Sequence, residues 1–233
     1  MNTITINGNS SSNINGLLIQ SLPPITKPRM RTQKEEIDGR DGDIITNLGY
    51  SAYDKECLIG LYGQYDVDQV ISFFTASGNV VFSNEPDKYY KFKQVEQIDL
   101  ERLLRWKQAK VRFHVQPYKY NANEVPVEKT SGFSSFTVSN SGNTIAKPLI
   151  TITGRGTVTV TLNGSQIFSI DMGTNNTVLG IDAEEMDAFI GGTLANRRVT
   201  GDYANLILQT GSNTFGISGT VSEFTCERYS RWI

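Results

Sequence analysis

Residues 157–170 give the strongest structural signal in the chain. They begin with Thr157-Val158-Thr159-Val160-Thr161-Leu162, in which polar and apolar side chains alternate as in a half-buried strand. Asn163-Gly164 follows, and then Gln166-Ile167-Phe168-Ser169-Ile170. An Asn-Gly pair between two such runs is typical of a type I′ turn, which needs positive φ at both central residues. The segment therefore predicts a β-hairpin.

The sequence on both sides of this hairpin predicts further short strands. Gly154-Arg155-Gly156 is expected to connect two of them, because no helix follows that could present its N-terminus to a phosphate. Short strands with frequent glycine turns predict an antiparallel β-sandwich, with no substantial helix in residues 145–175. The additional predicted strands are Leu149–Thr153, Tyr203–Leu208, Thr214–Ser218 and Ser222–Arg228, with Gly211-Ser212-Asn213 and Gly219 as the breaks between them.

The composition changes near residue 125. Residues 1–125 contain 15 Lys or Arg and 15 Asp or Glu, whereas residues 126–233 contain 7 and 9. Of the 22 threonines, 16 lie from Thr130 onward. The polar stretch Asn121–Pro126 lies at the change and fits a domain boundary. We therefore expect a first domain at 1–125 and a second at 126–233.

The first domain has a mixed pattern that predicts a β-rich fold with a helix near residues 67–77. Asp66 is a candidate N-cap and Gly78 a candidate C-terminal stop. Between them, Val67, Val70, Ile71 and Phe74 recur at helical spacing, and Gln69 occupies the capping-box position. Leu100–Trp106 fits a helix and a strand about equally. The predicted strands are Val80–Phe82, Tyr89–Val95 and Val111–Val115.

Composition excludes several classes of protein. The chain has 233 residues, of which 38% are hydrophobic, and this favours a folded protein. Its net charge of −2 argues against nonspecific electrostatic binding of nucleic acid. Cys57 and Cys226 are too few for a disulfide framework or a zinc cage, and we expect two reduced thiols. No apolar run approaches the 18 residues of a membrane span, and Met1–Thr5 lacks the pattern of a secretory signal.

Three groups of residues were weighed as chemical sites, and each favours a structural interpretation. Asp38–Asp43 contains three aspartates and two glycines but lacks the ligand spacing of an EF-hand, so it predicts a tight turn. Asp182, Glu184, Glu185 and Asp187 are typical of a solvated acidic surface. His114, the single histidine, is expected on the polar face of a strand. We therefore predict no catalytic centre, no required metal and no cofactor.

Aromatic residues are dense in the first domain, and they predict a core together with one contact surface. Tyr89, Tyr90 and Trp106 are the candidate interface anchors, because Tyr and Trp supply large contact area at low entropy cost. The full set is Phe82, Tyr89, Tyr90, Phe92, Trp106, Phe113, Tyr118 and Tyr120.

The order of several short motifs resembles the distal tail protein (Dit) family of long-tailed, non-contractile bacteriophages, over nearly the whole chain. In the first domain these motifs are Leu22-Pro23-Pro24, Asp38-Gly39-Arg40-Asp41-Gly42, Phe82–Tyr90, Ala109–Phe113 and Gln116-Pro117-Tyr118. In the second they are Asn140–Asn143, Lys147-Pro148 and Gly211-Ser212-Asn213.

This resemblance implies an N-terminal ring-forming domain and a C-terminal galectin-like β-sandwich. It also implies a structural, non-enzymatic hub in the virion: a homo-hexameric ring at the distal end of the tail that joins the tail tube to the baseplate or tip, with a lumen for DNA at ejection. The implied partners are the tail tube protein, the tail-associated tip protein and the tape-measure protein, with assembly in the host cytoplasm. Long family members carry inserted carbohydrate-binding modules, for which this chain is too short.

A second function stays open at this point. Because β-sandwiches of this type often bind sugars, the chain could be a carbohydrate-binding module that attaches to host glycans. Such a module would need an exposed aromatic platform on the second domain. The candidates there are Phe133, Phe136, Phe168, Phe189, Tyr203, Phe215, Phe224, Tyr229 and Trp232.

Overall fold

The computed structural model describes residues 1–74, 77–130 and 132–233. The chain divides into two compact units, residues 1–122 with Ile233 and residues 123–232. Both are built mainly from antiparallel strands. No helix in the described ranges is long and apolar enough to cross a membrane.

In unit 1, seven strands form one sheet in the order β2-β1-β7-β8-β9-β6-β3. The sheet curls, since the Asn2 side chain beside β1 donates to the carbonyl of Gln20 in β3. The strands of unit 1 are β1 (Ile4–Ile6), β2 (Asn9–Ser10), β3 (Leu17–Ser21), β4 (Met30–Glu36), β5 (Asp43–Tyr50), β6 (Tyr53–Leu61), β7 (Gly78–Phe82), β8 (Lys88–Val95) and β9 (Gln108–Asn121).

Two helices accompany this sheet in the described part of unit 1, where the sequence predicted one and left a second segment open. The predicted helix is present as α1 (Val67–Phe73), and Asp66 caps it by accepting hydrogen bonds from the backbone N–H groups of Asp68 and Gln69. The helix ends earlier than predicted, at Phe73, and Gly78 is not its stop but the first residue of β7. Residues 75 and 76, at the expected end of this helix, lie outside the described residues. The ambiguous segment is α2 (Leu100–Trp106).

The core of unit 1 lies between the curled sheet and the two helices. Phe113 of β9 is fully buried. The centroid of its ring lies 5.3 Å from the ring centroid of Phe92, 5.8 Å from that of Phe82 and 6.2 Å from that of Phe74. Leu103 is the buried residue of α2. Alternate residues along β6 and β9 point into this core, as expected for strands with one buried face.

Unit 2 is all-β apart from three-residue 3₁₀ turns, and its strands fold over a single core. The central path is β10-β18-β12-β14-β15-β16, with β11 on β18, and β13 between β12 and β17. The strands of this sheet are β10 (Val127–Thr130), β11 (Ser135–Asn140), β12 (Leu149–Leu162), β13 (Ser165–Asp171), β14 (Thr177–Asp182), β15 (Asp187–Ile190), β16 (Thr193–Leu194), β17 (Val199–Gly201) and β18 (Gly211–Glu227). The last strand, β19 (Arg231–Trp232), is not part of it.

Two long strands, β12 and β18, are shared by both layers of the sandwich. They pair with each other along their length and bend at the same place. The first half of β12 pairs with β14 and the second half with β13. The register between β12 and β18 shifts at the bend, where a Cβ on Gly219 would lie 2.5 Å from the Thr157 carbonyl oxygen. Gly219 also has φ +110°, so only glycine fits there without strain.

The predicted hairpin is confirmed, and four other predictions for unit 2 need correction. Asn163 and Gly164 join β12 to β13 with φ of +51° and +84°. Gly154-Arg155-Gly156 is not a connection but the bend within β12. Gly219 likewise bends one continuous strand and does not separate two. Gly211-Ser212-Asn213 is not a break, because these residues are the first three of β18 and pair with β11. Tyr203–Leu208 is not a strand, since Tyr203–Asn205 form a 3₁₀ turn capped by the Asp202 carboxylate.

Candidate assembly surfaces

Residues 30–50 form a two-stranded ribbon that pairs with no other sheet in the described part of the chain. Nearly every residue of β4 and β5 is exposed, on both faces of the ribbon. Ile37, Ile45 and Leu48 are about half exposed despite their apolar side chains. We call this ribbon, with its connecting turn, the β4–β5 arm.

The turn of the arm contains the aspartate- and glycine-rich segment Asp38–Asp43, which lacks the ligand spacing of a calcium loop. Gly39 and Gly42 have φ of +78° and +81°, and the N–H of Arg40 donates to the carbonyl of Ile37. The tight-turn interpretation is confirmed. Among the described residues, no group of three or more His, Cys, Asp or Glu side chains could hold a metal ion. That the protein requires no metal stays a prediction.

At the base of the arm, hydrogen bonds join its two strands and one ring contact links it to the sheet. The N–H of Ser51 donates to the carbonyl of Arg29 at 2.8 Å, and the Arg31 guanidinium donates to the carbonyl of Leu48 at 3.0 Å. The Tyr50 ring meets Tyr118 of β9 edge to face, with centroids 6.1 Å apart. The anchored end is therefore near the sheet, while the turn end has no such support among the described contacts.

A second exposed apolar surface lies on α2. Asp99 caps the helix by accepting from the N–H of Arg102 at 2.9 Å, and Leu103 turns into the core. This orientation leaves Leu100 and Leu104 partly exposed, and Trp106 is 70% exposed.

Basic groups accompany these apolar side chains. The Arg105 guanidinium lies 5.6 Å from the centre of the Trp106 ring, a cation–π arrangement. Arg102 and Arg105 also line a surface groove of about 420 Å³ beside Trp106, together with Asp99, Glu101 and Gln108. We call Leu100, Arg102, Leu104, Arg105 and Trp106 the α2 face.

A buried ionic network holds together two of the segments on which the family resemblance rests. Glu85, in the loop between β7 and β8, accepts from Lys119 at 2.6 Å and from the Tyr90 hydroxyl. The Lys55 ammonium donates to the carbonyl of Pro24 at 3.0 Å and lies 4.4 Å from the centre of the Tyr90 ring. The segment at Pro24 is thereby fixed to the loop at Glu85.

Burial shifts the pKa values in this network. Desolvation lowers the pKa of Lys55 to about 8, although the Glu85 charge acts in the opposite direction. Burial raises the pKa of Tyr53 to about 12 and raises that of Tyr90, whose hydrogen bond to Glu85 adds to the effect. Lys55, Glu85, Tyr90 and Lys119 each have a structural partner, so the network fits an anchoring role.

The cysteines and the histidine are not brought together. Cys57 and Cys226 are both buried free thiols in different units, and burial raises the pKa of each to about 12. His114 lies on β9 and pairs with Asp54 of β6 at 2.7 Å, both side chains being half exposed. His114 therefore lies on the polar face of its strand, as predicted.

The acidic residues 182–187 serve the local backbone. The Asp182 carboxylate accepts from the N–H groups of Glu184 and Glu185, which caps the turn between β14 and β15. Glu184 pairs with Lys147 at 3.5 Å and Arg231 at 3.4 Å. The cluster is therefore part of the framework of unit 2.

The exposure of the aromatic residues corrects one interface prediction. Tyr90 is fully buried in unit 1, so it is unavailable as an interface anchor. Tyr89 is half-buried and stacks on Tyr120, with centroids 5.2 Å apart. Trp106 is exposed as an anchor requires. All nine aromatic side chains named for the sugar platform in unit 2 are buried or half-buried.

Comparison with solved structures gives full-length matches. The crystal structure of the Dit protein of phage SPP1, described as a paradigm of the hub adsorption apparatus in phages that infect Gram-positive bacteria, matches with a TM-score of 0.65 and 15% identity over 98% of this chain and 99% of that chain. The chain has the Dit fold. Two structures of the phage P2 baseplate in its activated conformation, with Ca and with Sr, match with TM-scores of 0.51 and 0.52, each at 10% identity and 97% coverage of both chains.

The Dit fold confirms the predicted fold class and the resemblance at the level of the fold. No family model matches the chain, and no curated protein sequence matches it. Sequence analysis did not predict the β4–β5 arm as a pair of strands. Both faces of the arm are exposed, so its strands lack the alternation of polar and apolar residues that marks a half-buried strand.

Proposed function

We propose that this protein is a structural hub of a phage tail tip. In this proposal six copies form a ring at the distal end of the tail, which joins the tail tube to the baseplate or tip. The ring binds the tail tube, tape-measure and tail-associated tip proteins in the virion and assembles in the host cytoplasm. The observation that carries the proposal is the full-length match to the SPP1 hub protein, over 98% of one chain and 99% of the other.

Unit 1 is proposed as the ring-forming part. It carries the two exposed apolar surfaces described above, the β4–β5 arm and the α2 face, and it holds 15 basic and 14 acidic residues. Mixed charges set the register of a head-to-tail contact. Head-to-tail contacts generate closed rings when their rotation closes.

A hub needs contact surface and no chemistry, and the candidate chemical groups fit that role. His114 has a single acidic partner, both thiols are buried, and the acidic cluster caps a turn. The net charge of −2 also suits a lumen through which DNA passes, because a strongly basic wall would hold the duplex by attraction to its phosphates. We therefore propose that the protein is not an enzyme and that DNA is only passing cargo.

The exposure of unit 2 favours the hub over the sugar-binding module. A sugar platform needs aromatic faces open to solvent, and the four rings of Phe136, Phe168, Phe215 and Phe224 lie in the core of unit 2 instead.

Light scattering on separately expressed residues 1–125 and 126–233 tests the division of roles. Each fragment should fold alone, because each has its own hydrophobic core. We expect the first fragment to form rings or larger oligomers, because it carries the exposed apolar surfaces, and the second to stay monomeric. A monomeric first fragment beside an oligomeric second one would reverse the assignment. A glycan array on the intact chain tests the module, and glycan binding by a monomer would favour that function.

A further inference from the structure

We propose that the β4–β5 arm of one copy docks on the α2 face of the neighbouring copy. This inference rests on the proposed ring and names the two surfaces that form its repeating contact. Both surfaces are exposed in the single chain, so neither is already used to cover the other.

The first argument is that the arm lacks the support that a ribbon of its kind needs. An isolated two-stranded hairpin is marginally stable at best in water, and three strands or packing on a helix is the usual remedy. Within the described residues the arm has neither, yet it exposes Ile37, Ile45 and Leu48. A surface on another molecule that covers these side chains would supply the missing packing.

The second argument is the charge of the arm. Residues 34–43 contain five acidic and two basic side chains, and one basic residue, Lys34, already pairs with Asp43 at 3.0 Å. Glu36 lies directly opposite Asp43 across the ribbon, and like charges in that position are destabilising. The turn end of the arm therefore favours a basic partner.

The arginines of the α2 face suit the acidic end of the arm. None of the described ion pairs involves Arg102 or Arg105, which flank the exposed side chains of Leu104 and Trp106. Trp and Arg are the residue types most often found at the energetic centre of an interface. The groove of about 420 Å³ beside Trp106 is lined by both arginines and by the polar residues Asp99, Glu101 and Gln108, so it suits the mixed charges at the turn end of the arm.

The two surfaces differ from each other, so their contact is head-to-tail. Each copy would offer its arm to one neighbour and its α2 face to the other. Such a heterologous contact builds a closed ring when the rotation between neighbouring copies returns the last copy to the first. Assembly through this contact does not pass through a two-fold symmetric dimer. Opposite charges at its rim would make assembly weaken as salt rises.

Charge reversal with rescue tests the docking. The arm variant carries Glu36→Arg and Asp38→Arg, the helix variant carries Arg102→Glu and Arg105→Glu, and a third protein carries all four changes. We expect the arm and helix variants each to raise the dissociation constant of the oligomer by roughly 10- to 100-fold in sedimentation velocity, and the third protein to recover most of the loss.

Two controls keep the result interpretable. Arg155→Glu with Arg197→Glu reverses two exposed charges on unit 2 and should leave assembly unchanged. Glu36→Arg places an opposite charge across from Asp43, so weaker assembly in the arm variant cannot be assigned to an unfolded arm. If the helix variant fails to fold, hydrogen exchange on the wild-type chain decides: amides of 30–50 should be protected in the oligomer and exchange rapidly in the diluted monomer.

The outcomes separate this inference from the proposed function. Unchanged assembly of both reversed variants, or no recovery in the third protein, overturns the docking and leaves the ring intact. Arm amides that exchange equally fast in oligomer and monomer also overturn it. A wild-type chain that is monomeric at every concentration contradicts the ring and this inference together.

Discussion

Two buried phenylalanines allow the units to be destabilised one at a time. Phe113 is fully buried in unit 1 among Phe74, Phe82 and Phe92, and Phe224 is fully buried in unit 2 against Phe136 and Phe215, at 4.9 and 5.2 Å between ring centroids. Each substitution to alanine removes the same atoms from the same depth. Phe113→Ala and Phe224→Ala therefore form a matched pair of variants. The first destabilises unit 1, and the second destabilises unit 2.

Each change should lower the free energy of unfolding of its own unit by about 3–5 kcal/mol, because it removes a buried ring and leaves a cavity that neighbouring aromatic rings fill poorly. Since each 1.4 kcal/mol is tenfold, a loss near 4 kcal/mol raises the opening equilibrium constant of that unit roughly 1,000-fold. A domain is typically stable by only about 5–15 kcal/mol, so the weakened unit should open measurably.

Hydrogen exchange with mass spectrometry measures the amide exchange rates of the two units separately. Light scattering on the same samples measures the mass of the oligomer. Phe113→Ala should speed exchange in residues 1–122 alone and should abolish or strongly weaken the oligomer. Phe224→Ala should speed exchange in residues 123–232 alone and leave the oligomer intact. Loss of assembly in Phe224→Ala, with unit 1 still protected, would refute the assignment of self-association to unit 1.

Further predictions concern the buried groups. Lys55→Met should change how the free energy of unfolding depends on pH. Because the folded pKa of Lys55, about 8, lies below the unfolded value of 10.5, this lysine makes the wild-type protein more stable as pH rises from about 8 to 10.5. Urea unfolding of the variant should lack that gain, and equal pH profiles for the two proteins would contradict the prediction. Gly219→Ala should destabilise unit 2 by roughly 1–3 kcal/mol, since its Cβ would lie 2.5 Å from the Thr157 carbonyl oxygen at a φ of +110°; an unchanged thermal midpoint contradicts this. Cys57 and Cys226, with pKa values raised to about 12, should resist iodoacetamide at pH 8 until the chain unfolds; fast alkylation of the native protein would show that the thiols are accessible.

The elements that could be predicted from the sequence are those whose local pattern and tertiary role agree. The hairpin of β12 and β13 was predictable because its alternation matches one buried face and its Asn163-Gly164 turn has a specific backbone requirement. The start of α1 was predictable because the Asp66 cap acts within one turn of the chain.

The elements that could not be predicted depend on contacts distant in sequence. Gly154 and Gly219 resemble ordinary strand breaks, and only the pairing of β12 with β18 makes them bends within continuous strands. Leu100–Trp106 has apolar residues at helical spacing, but Leu103 alone of them is fully buried, so periodicity could not decide its structure.

The candidate site was the hardest part to predict. Trp106 and Tyr90 were both predicted as anchors because Tyr and Trp supply large contact area at low entropy cost, but Tyr90 lies in the core and only the structure distinguishes the two. The turn of the β4–β5 arm was predictable from its aspartates and glycines, but its strands were not, because a ribbon exposed on both faces lacks the two-residue period of a half-buried strand. Surfaces that become buried only in an assembly leave little trace in the pattern of a single chain.

Native mass spectrometry of the intact chain tests the central claim most directly. We predict one dominant assembly at six times the chain mass of 25.9 kDa, which dissociates to monomers without a stable dimer because a head-to-tail ring has one type of contact. A chain that is monomeric at all concentrations, or an open-ended series of oligomers with no preferred size, would contradict a closed ring and the hub function proposed for it.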